Sequence, residues 1–369
     1  MKNFIYLSVL MVGMLGSIEQ AAAYSHQHCL GENVKWSGTS KTLRADPTSF
    51  PTGSWRNALQ ESIDRFNENP ANFSYGLATD SGGVKLGNGS SEIWGSTSAS
   101  VLQVAPAIAY SYKTCYWFFG DVVHMDEVDV IFDYGNPWTW TTSNTKSNLL
   151  RYGGSLRPIQ TTALHEISHG VKLSHVNTEY NIMGTDFEHI HVNSNTARAY
   201  LGEDAADGMV HLYGTDSDSR QDVAVVHWKY DGASGEYSNH RKVQLRNSAG
   251  SVINSTTSVN GETHYRVNAG QTVRVEFTYE NNGASYQGAV ATGFYVSTNS
   301  NITTWDDRIG GTTLTLGRAN VYTAQHTVTL PGNLNSGTNY WVGVIVDETG
   351  SIGEVAEWNN TTYIPIRIN

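Results

Sequence analysis

The stretch HEISHGVKLSH, residues 165 to 175, sets three histidines and one carboxylate at the spacing of a metal site. On a helix, positions i and i+4 share a face about one turn apart, so His165 and His169 can present both imidazoles to one ion. His175 lies too far along for the same face, and it can be a third ligand only if the chain leaves the helix and folds back. Zn²⁺ accepts neutral imidazole, and a catalytic zinc takes three protein ligands and leaves the fourth position to water. Glu166, beside the first ligand, is suited to take a proton from water that the metal has acidified. With 13 histidines in 369 residues, an HExxH match arises by chance in roughly one such chain in fifty, and the third histidine cuts that about thirty-fold. A purely structural zinc is the competing reading, but such sites favour cysteine and four protein ligands.

These residues resemble the signature of the metzincin zinc endopeptidases, HExxHxxGxxH followed by a methionine-bearing turn. The matching positions are His165, Glu166, His169 and His175, then Met183 within NIMG. The resemblance implies zinc on the three histidines, Glu166 as general base for a zinc-bound water, and Met183 supporting the ligands from below rather than binding metal. One position departs: the family glycine falls on Lys172, with Gly170 two residues earlier. A left-handed lysine there costs about 1–2 kcal/mol, which metal binding can offset. TTALHEISHGVKLSH, LGEDAADGMVHLYG and FPTGSWRNALQESIDRFNEN are similar to three helices of the matrixin branch. In the last of these, Trp55, Leu59, Ile63 and Phe66 form an apolar stripe suited to core packing. The astacin branch fits less well, because its metal-approaching tyrosine falls on Thr185, and no GGxGxD repeats of the serralysin type occur. The implied fold class is α+β: a zincin-like catalytic domain with a mixed sheet and an active-site helix, followed by an all-β immunoglobulin-like sandwich. Structural Ca²⁺ is a further implication, without assigned ligands.

Other polar residues compete weakly. Glu188 stands where a different HExxH class takes a carboxylate as third ligand, and His175 is preferred to it. His189 and His191 are expected to be surface residues rather than a second metal site. His124 and His211 carry no usable pattern. There is no GxSxG elbow and no GxxxxGK[ST] loop, so competing catalytic chemistries are nearly silent.

Residues 1–23 read as a cleaved export signal: Lys2, an apolar run from Phe4 to Ile18, and a small-residue exit at Ala21 to Ala23. The run is too short and broken to span a bilayer, so secretion is expected, with no membrane insertion. An exported chain favours a disulfide between its two cysteines, Cys29 and Cys115, over a thiol that blocks the metal. The net charge of −11 argues against nucleic acid as a partner.

The length allows two domains. Residues 24–214 form the expected catalytic domain, 215–221 a Gly/Ser/Asp-rich linker, and 222–369 a run of short β-branched and aromatic segments that reads as a sandwich. That last region resembles the CARDB family of bacterial surface and secreted modules, through NAGQTVRVEFTYENNG, FYVSTNSNITTWDDRIG and VDETGSIGEVAEWNN. Residues 231–265 fit the resemblance poorly and look like an insertion. Asp347, Glu354, Glu357, Asn359 and Asn360 read as turn and strand-edge structure, with a calcium-binding cluster as the alternative. The expected function is a secreted zinc-dependent endopeptidase acting on protein or peptide substrates, its sandwich assisting targeting or capture of a surface or matrix ligand. The rival is a catalytically silent zinc-binding adhesin.

Overall fold

The computed structural model describes residues 24, 26–102, 105–117, 120–146, 156–185, 189–216 and 220–369. The export signal and Glu188 lie outside the described residues, as does part of the expected linker. No described helix is long and apolar enough to cross a membrane.

In the first half a five-stranded sheet carries the strands in the order Ser74–Thr79, Ser40–Ala45, Glu92–Ser96, Asp121–Asp133, Ala107–Trp117. The first four are parallel to their neighbours, and the last is the antiparallel arm of a long hairpin at the edge. Helix α1 (Ser54–Asn67) buries Ala58, Leu59, Ser62, Ile63 and Phe66, the stripe its spacing predicts, with Trp55 only partly covered. Helix α2 is a single turn, Ala99–Leu102. Helix α3 (Ile159–His169) buries every residue from Ile159 to Ser168, and Ser62 of α1 donates its hydroxyl to its Gln160 carbonyl at 3.2 Å. Helix α4 (Glu203–Tyr213) closes this core through Ala205, Ala206, Met209 and Leu212. A disulfide joins Cys29 to Cys115, tying the amino-terminal stretch to the long hairpin.

The second half follows the two-residue period of strands. Val273, Val275, Phe277 and Tyr279 alternate into its core from strand Thr272–Asn281, and Tyr340, Val342, Val344 and Val346 do so from Asn339–Val346. The first of these strands anchors a four-stranded sheet with Val223–Val226, Leu245–Asn247 and Val321–Thr329. The second lies inside a six-stranded sheet, and the two sheets share one apolar core.

The α+β, zincin-like class expected from the motif is corrected. Among the described residues, strands account for 47% and helices for 13%, and the strands are dispersed over seven sheets, so the described chain is mainly β. The three longest described helices have only 14, 11 and 11 residues. The β-branched runs of the second half outweigh them.

The two halves are joined by a third apolar cluster that draws Tyr180, Ile190, Val192 and Tyr200 against Val226, Trp228, Tyr295 and Tyr363. Polar contacts reinforce it: Thr362 donates to the Val192 carbonyl at 2.8 Å, Arg318 pairs with Asp207, and Tyr200 donates to Glu280 Oε2 at 2.8 Å. Glu280 is fully buried. Burial drives its carboxyl up, to about 8, and burial lifts Asp222 to about 7. A carboxyl raised in the folded state binds more protons than its unfolded counterpart between about pH 4 and 8, so its contribution to stability falls as pH rises through that window. From pH 5 to pH 8 the thermal unfolding midpoint of Glu280→Gln is expected to gain several degrees on that of the wild type, because the substitution removes this downward contribution. A difference between the two midpoints that stays constant across this range would contradict the raised carboxyl of Glu280.

Candidate metal centre

Helix α3 delivers His165 and His169 one turn apart, as the spacing predicts. It ends at Gly170, whose amide donates to the Glu166 carbonyl. A Cβ at position 170 would lie 2.7 Å from the Tyr75 hydroxyl and 2.9 Å from the Ile167 carbonyl, so a close approach of the sheet side holds this glycine. Lys172 then takes φ +70°, the left-handed conformation anticipated where the family has glycine. Its stem is buried, its amino group donates to Ser111 Oγ, and burial, with Lys113 nearby, pulls the ammonium down to about 8. This turn brings His175 back to the helix.

The three Nε2 atoms form a triangle with edges of 3.2 Å (His165 to His175), 3.1 Å (His165 to His169) and 3.0 Å (His169 to His175). Donors about 3.3 Å apart are what a tetrahedral ion with bonds of about 2.0–2.1 Å requires. The opposite ring nitrogens settle the protonation. His165 Nδ1 lies 2.7 Å from the Ile182 carbonyl and His169 Nδ1 2.7 Å from the Leu173 carbonyl, so each Nδ1–H donates there and each Nε2 keeps its lone pair. Burial, then the neighbouring imidazole, lowers His165 to about 3, and burial also drives His169 well below its ordinary value. Neutral Nε2 acceptors facing one another cannot satisfy each other, and a cation among them can. Among the described residues this is the only group of three or more His, Cys, Asp or Glu whose ligand atoms lie within 4.8 Å of one another.

The triad lines a cleft of about 910 Å³. Glu166, with 6% of its surface exposed, lines the same cleft, as do Trp138, Arg157 and Lys172. Met183 is buried in the first core, and its carbonyl accepts the Val176 amide at 3.2 Å while the preceding carbonyl holds His165. The segment after the third ligand thus supports the first one.

Other expectations fall differently. His189 and His191 are buried, not on the surface: His189 packs between Tyr180 and Tyr200, and His191 against Trp358. His124 pairs with Asp126, and His211 stacks on His26. Asp347 accepts the amides of Ser351 and Ile352 in a turn, and Glu354 accepts the Val223 amide and the Asn360 side chain.

Two residues of the site were missed entirely. Glu236 Oε2 lies 3.2 Å from His175 Nδ1, and the Tyr237 ring packs on His175 with centroids 4.5 Å apart. Both come from the second half, inside the region that fits the CARDB resemblance poorly, which was the one available signal.

No family model matches the sequence. No curated protein matches it either. Among solved structures, the crystal structure of the CARDB domain of the PF1109 protein from Pyrococcus furiosus, in complex with di-metal ions, is 13% identical, with a TM-score of 0.25 over 41% of this chain and 90% of that one. The solution structure of the same domain is 16% identical, with a TM-score of 0.23 over 28% and 84%. Wild-type OgpA from Akkermansia muciniphila is 9% identical, with a TM-score of 0.22 over 94% and 97%. Scores this low fix neither fold nor function.

Lys172→Gly relieves about 1–2 kcal/mol of backbone strain but gives up the Ser111 bond and adds about 1 kcal/mol of unfolded-state entropy. The net change in unfolding free energy is expected within about 1 kcal/mol, with metal content unchanged. A loss above about 3 kcal/mol in denaturant titration would mean that the buried stem, not the backbone, dominates at this position.

Proposed function

We propose that this chain is a secreted zinc-dependent endopeptidase of the metzincin type that hydrolyses peptide bonds in extracellular proteins. The observation that carries the reading is the triangle of Nε2 atoms with Glu166 beside it on the wall of an open cleft. His165, His169 and His175 would hold the ion. When bound there, zinc supplies Lewis-acid polarisation of a carbonyl and lowers the pKa of water.

The chain's own residues do the rest. Glu166 accepts the proton of the attacking water and passes it to the leaving amine. Ala107, Ile108, Ala109 and Ser111 of the edge strand line the cleft, so a substrate in extended conformation can lie along that strand and pair with its outer edge. Trp138, Arg157 and Tyr237 offer apolar and polar surface to its side chains. The Cys29–Cys115 disulfide supports an oxidising destination. The second half, from Asp222, is read as a CARDB-like module appended to the catalytic half.

The test is proteolysis of casein by the purified full-length chain, with and without a zinc chelator. Cleavage should stop with chelator and return with zinc. Glu166→Ala should lower turnover by about 10²–10⁴-fold with bound zinc per chain unchanged. If the wild type retains zinc and cleaves no protein substrate, or the Glu166 variant cleaves normally, the assignment fails.

A further inference from the structure

The hairpin Trp228–Ser234 and Tyr237–Lys242 belongs to the second half of the chain, yet its tip reaches the metal centre. Its base is fixed to strand Thr272–Asn281: Thr278 donates to the Trp228 carbonyl at 2.5 Å, and Arg241 donates to the buried Glu276 at 2.8 Å. Its far end is fixed to the segment that carries the third ligand. Tyr230 donates its hydroxyl to the Asn177 carbonyl at 2.9 Å, Asn177 Nδ2 donates to the Gly235 carbonyl at 2.6 Å, and the His240 ring packs on Tyr180 at 4.4 Å. Gly184, one residue past Met183, makes room for this: a Cβ there would collide with Ser238 Oγ and stand 2.8 Å from the Val176 carbonyl.

The tip itself presents Glu236. His165 and His169 find Nδ1 acceptors in backbone carbonyls of their own neighbourhood, whereas the acceptor beside His175 Nδ1 is the Glu236 carboxylate. With Nδ1 protonated, His175 donates to that carboxylate and turns its Nε2 lone pair into the triangle. A carboxylate on the far nitrogen fixes the tautomer and ring orientation and makes the imidazole a stronger donor to metal.

We propose that Glu236 is a positioning residue of the metal centre and that the hairpin bearing it is a working wall of the site, so that the second half completes the zinc site rather than only targeting it. This rests on the three-histidine zinc reading above.

The experiment measures Zn²⁺ affinity of the full chain by competition with a chromophoric chelator, together with the visible absorption of the Co²⁺-substituted protein. Loss of such a partner weakens metal binding by about 10–100-fold. The side chain of Glu236 is 68% exposed, which places the expected effect of Glu236→Ala near the tenfold end, with a shifted Co²⁺ band. Glu236→Gln, whose amide oxygen still accepts from Nδ1, should recover part of the affinity. Gly184→Ala, which pushes the hairpin away without touching a ligand, should weaken zinc in the same direction. Unchanged affinity and an unchanged Co²⁺ spectrum in Glu236→Ala overturn the proposal. His175→Ala separates the two levels: if it too leaves affinity unchanged, the three-histidine reading fails, and if it abolishes tight binding while Glu236→Ala does nothing, only the positioning role is lost.

Discussion

Everything distinctive in this molecule depends on holding three imidazole Nε2 atoms about 3 Å apart, facing one point. Left to themselves, such groups repel and would each prefer a hydrogen-bond donor. The protein keeps them together by occupying the opposite face of each ring and by surrounding them with packed side chains. Two of the acceptors are carbonyls, of Ile182 and Leu173, whose positions depend on the path of the chain just after the helix. That path passes through Lys172 in a conformation costly for a lysine. The strain persists because burial of the lysine stem and the convergence of the ligands over-determine the turn.

The frame around the site is β-structure, and its two cores meet in a seam that carries buried polar groups as well as apolar ones. Glu203, Asp204 and Glu280 all lie within it. Desolvation raises each of them, and nearby carboxylates add to the effect in all three. The same seam encloses His189 and His191, neutral and packed on aromatic rings. Such a junction gains its stability from the apolar cluster around Tyr180, Val226 and Tyr363, and its polar groups make the fit of the two halves dependent on pH.

What was legible in the sequence follows from the range of the interactions involved. The pairing of His165 and His169 on one helix face, the apolar stripe of α1, and the alternation in TVRVEFTYEN are set by neighbours a few residues apart, and each can be read from spacing. The left-handed Lys172 was legible as a departure from a motif. The fold class was not, because a strong local motif drew attention to short helices while the weaker, dispersed signals of many strands decide the class. His189 and His191 were misjudged for a related reason: residue type favours the surface, but a seam between two halves of the chain covers them. Glu236 and Tyr237 were invisible because nothing local marks a hairpin tip as the neighbour of a histidine far back in the sequence.

The contact between that hairpin and the ligand loop has a thermodynamic consequence. Asn177 and Gly184 belong to the segment that carries His175 and the carbonyl holding His165, and both touch the hairpin. Any ion that binds the ordered loop more tightly than the disordered one therefore also favours the docked hairpin, and docking must favour the ion by the same factor, since coupling free energies are reciprocal. The third ligand is the natural point of transmission. It is the one ligand off the helix, and its ring is sandwiched between the triangle on one side and Glu236 and Tyr237 on the other. Movement of the second half relative to the first would reach the histidine triad there, at His175, before it reached His165 or His169, which the buried body of α3 holds in place.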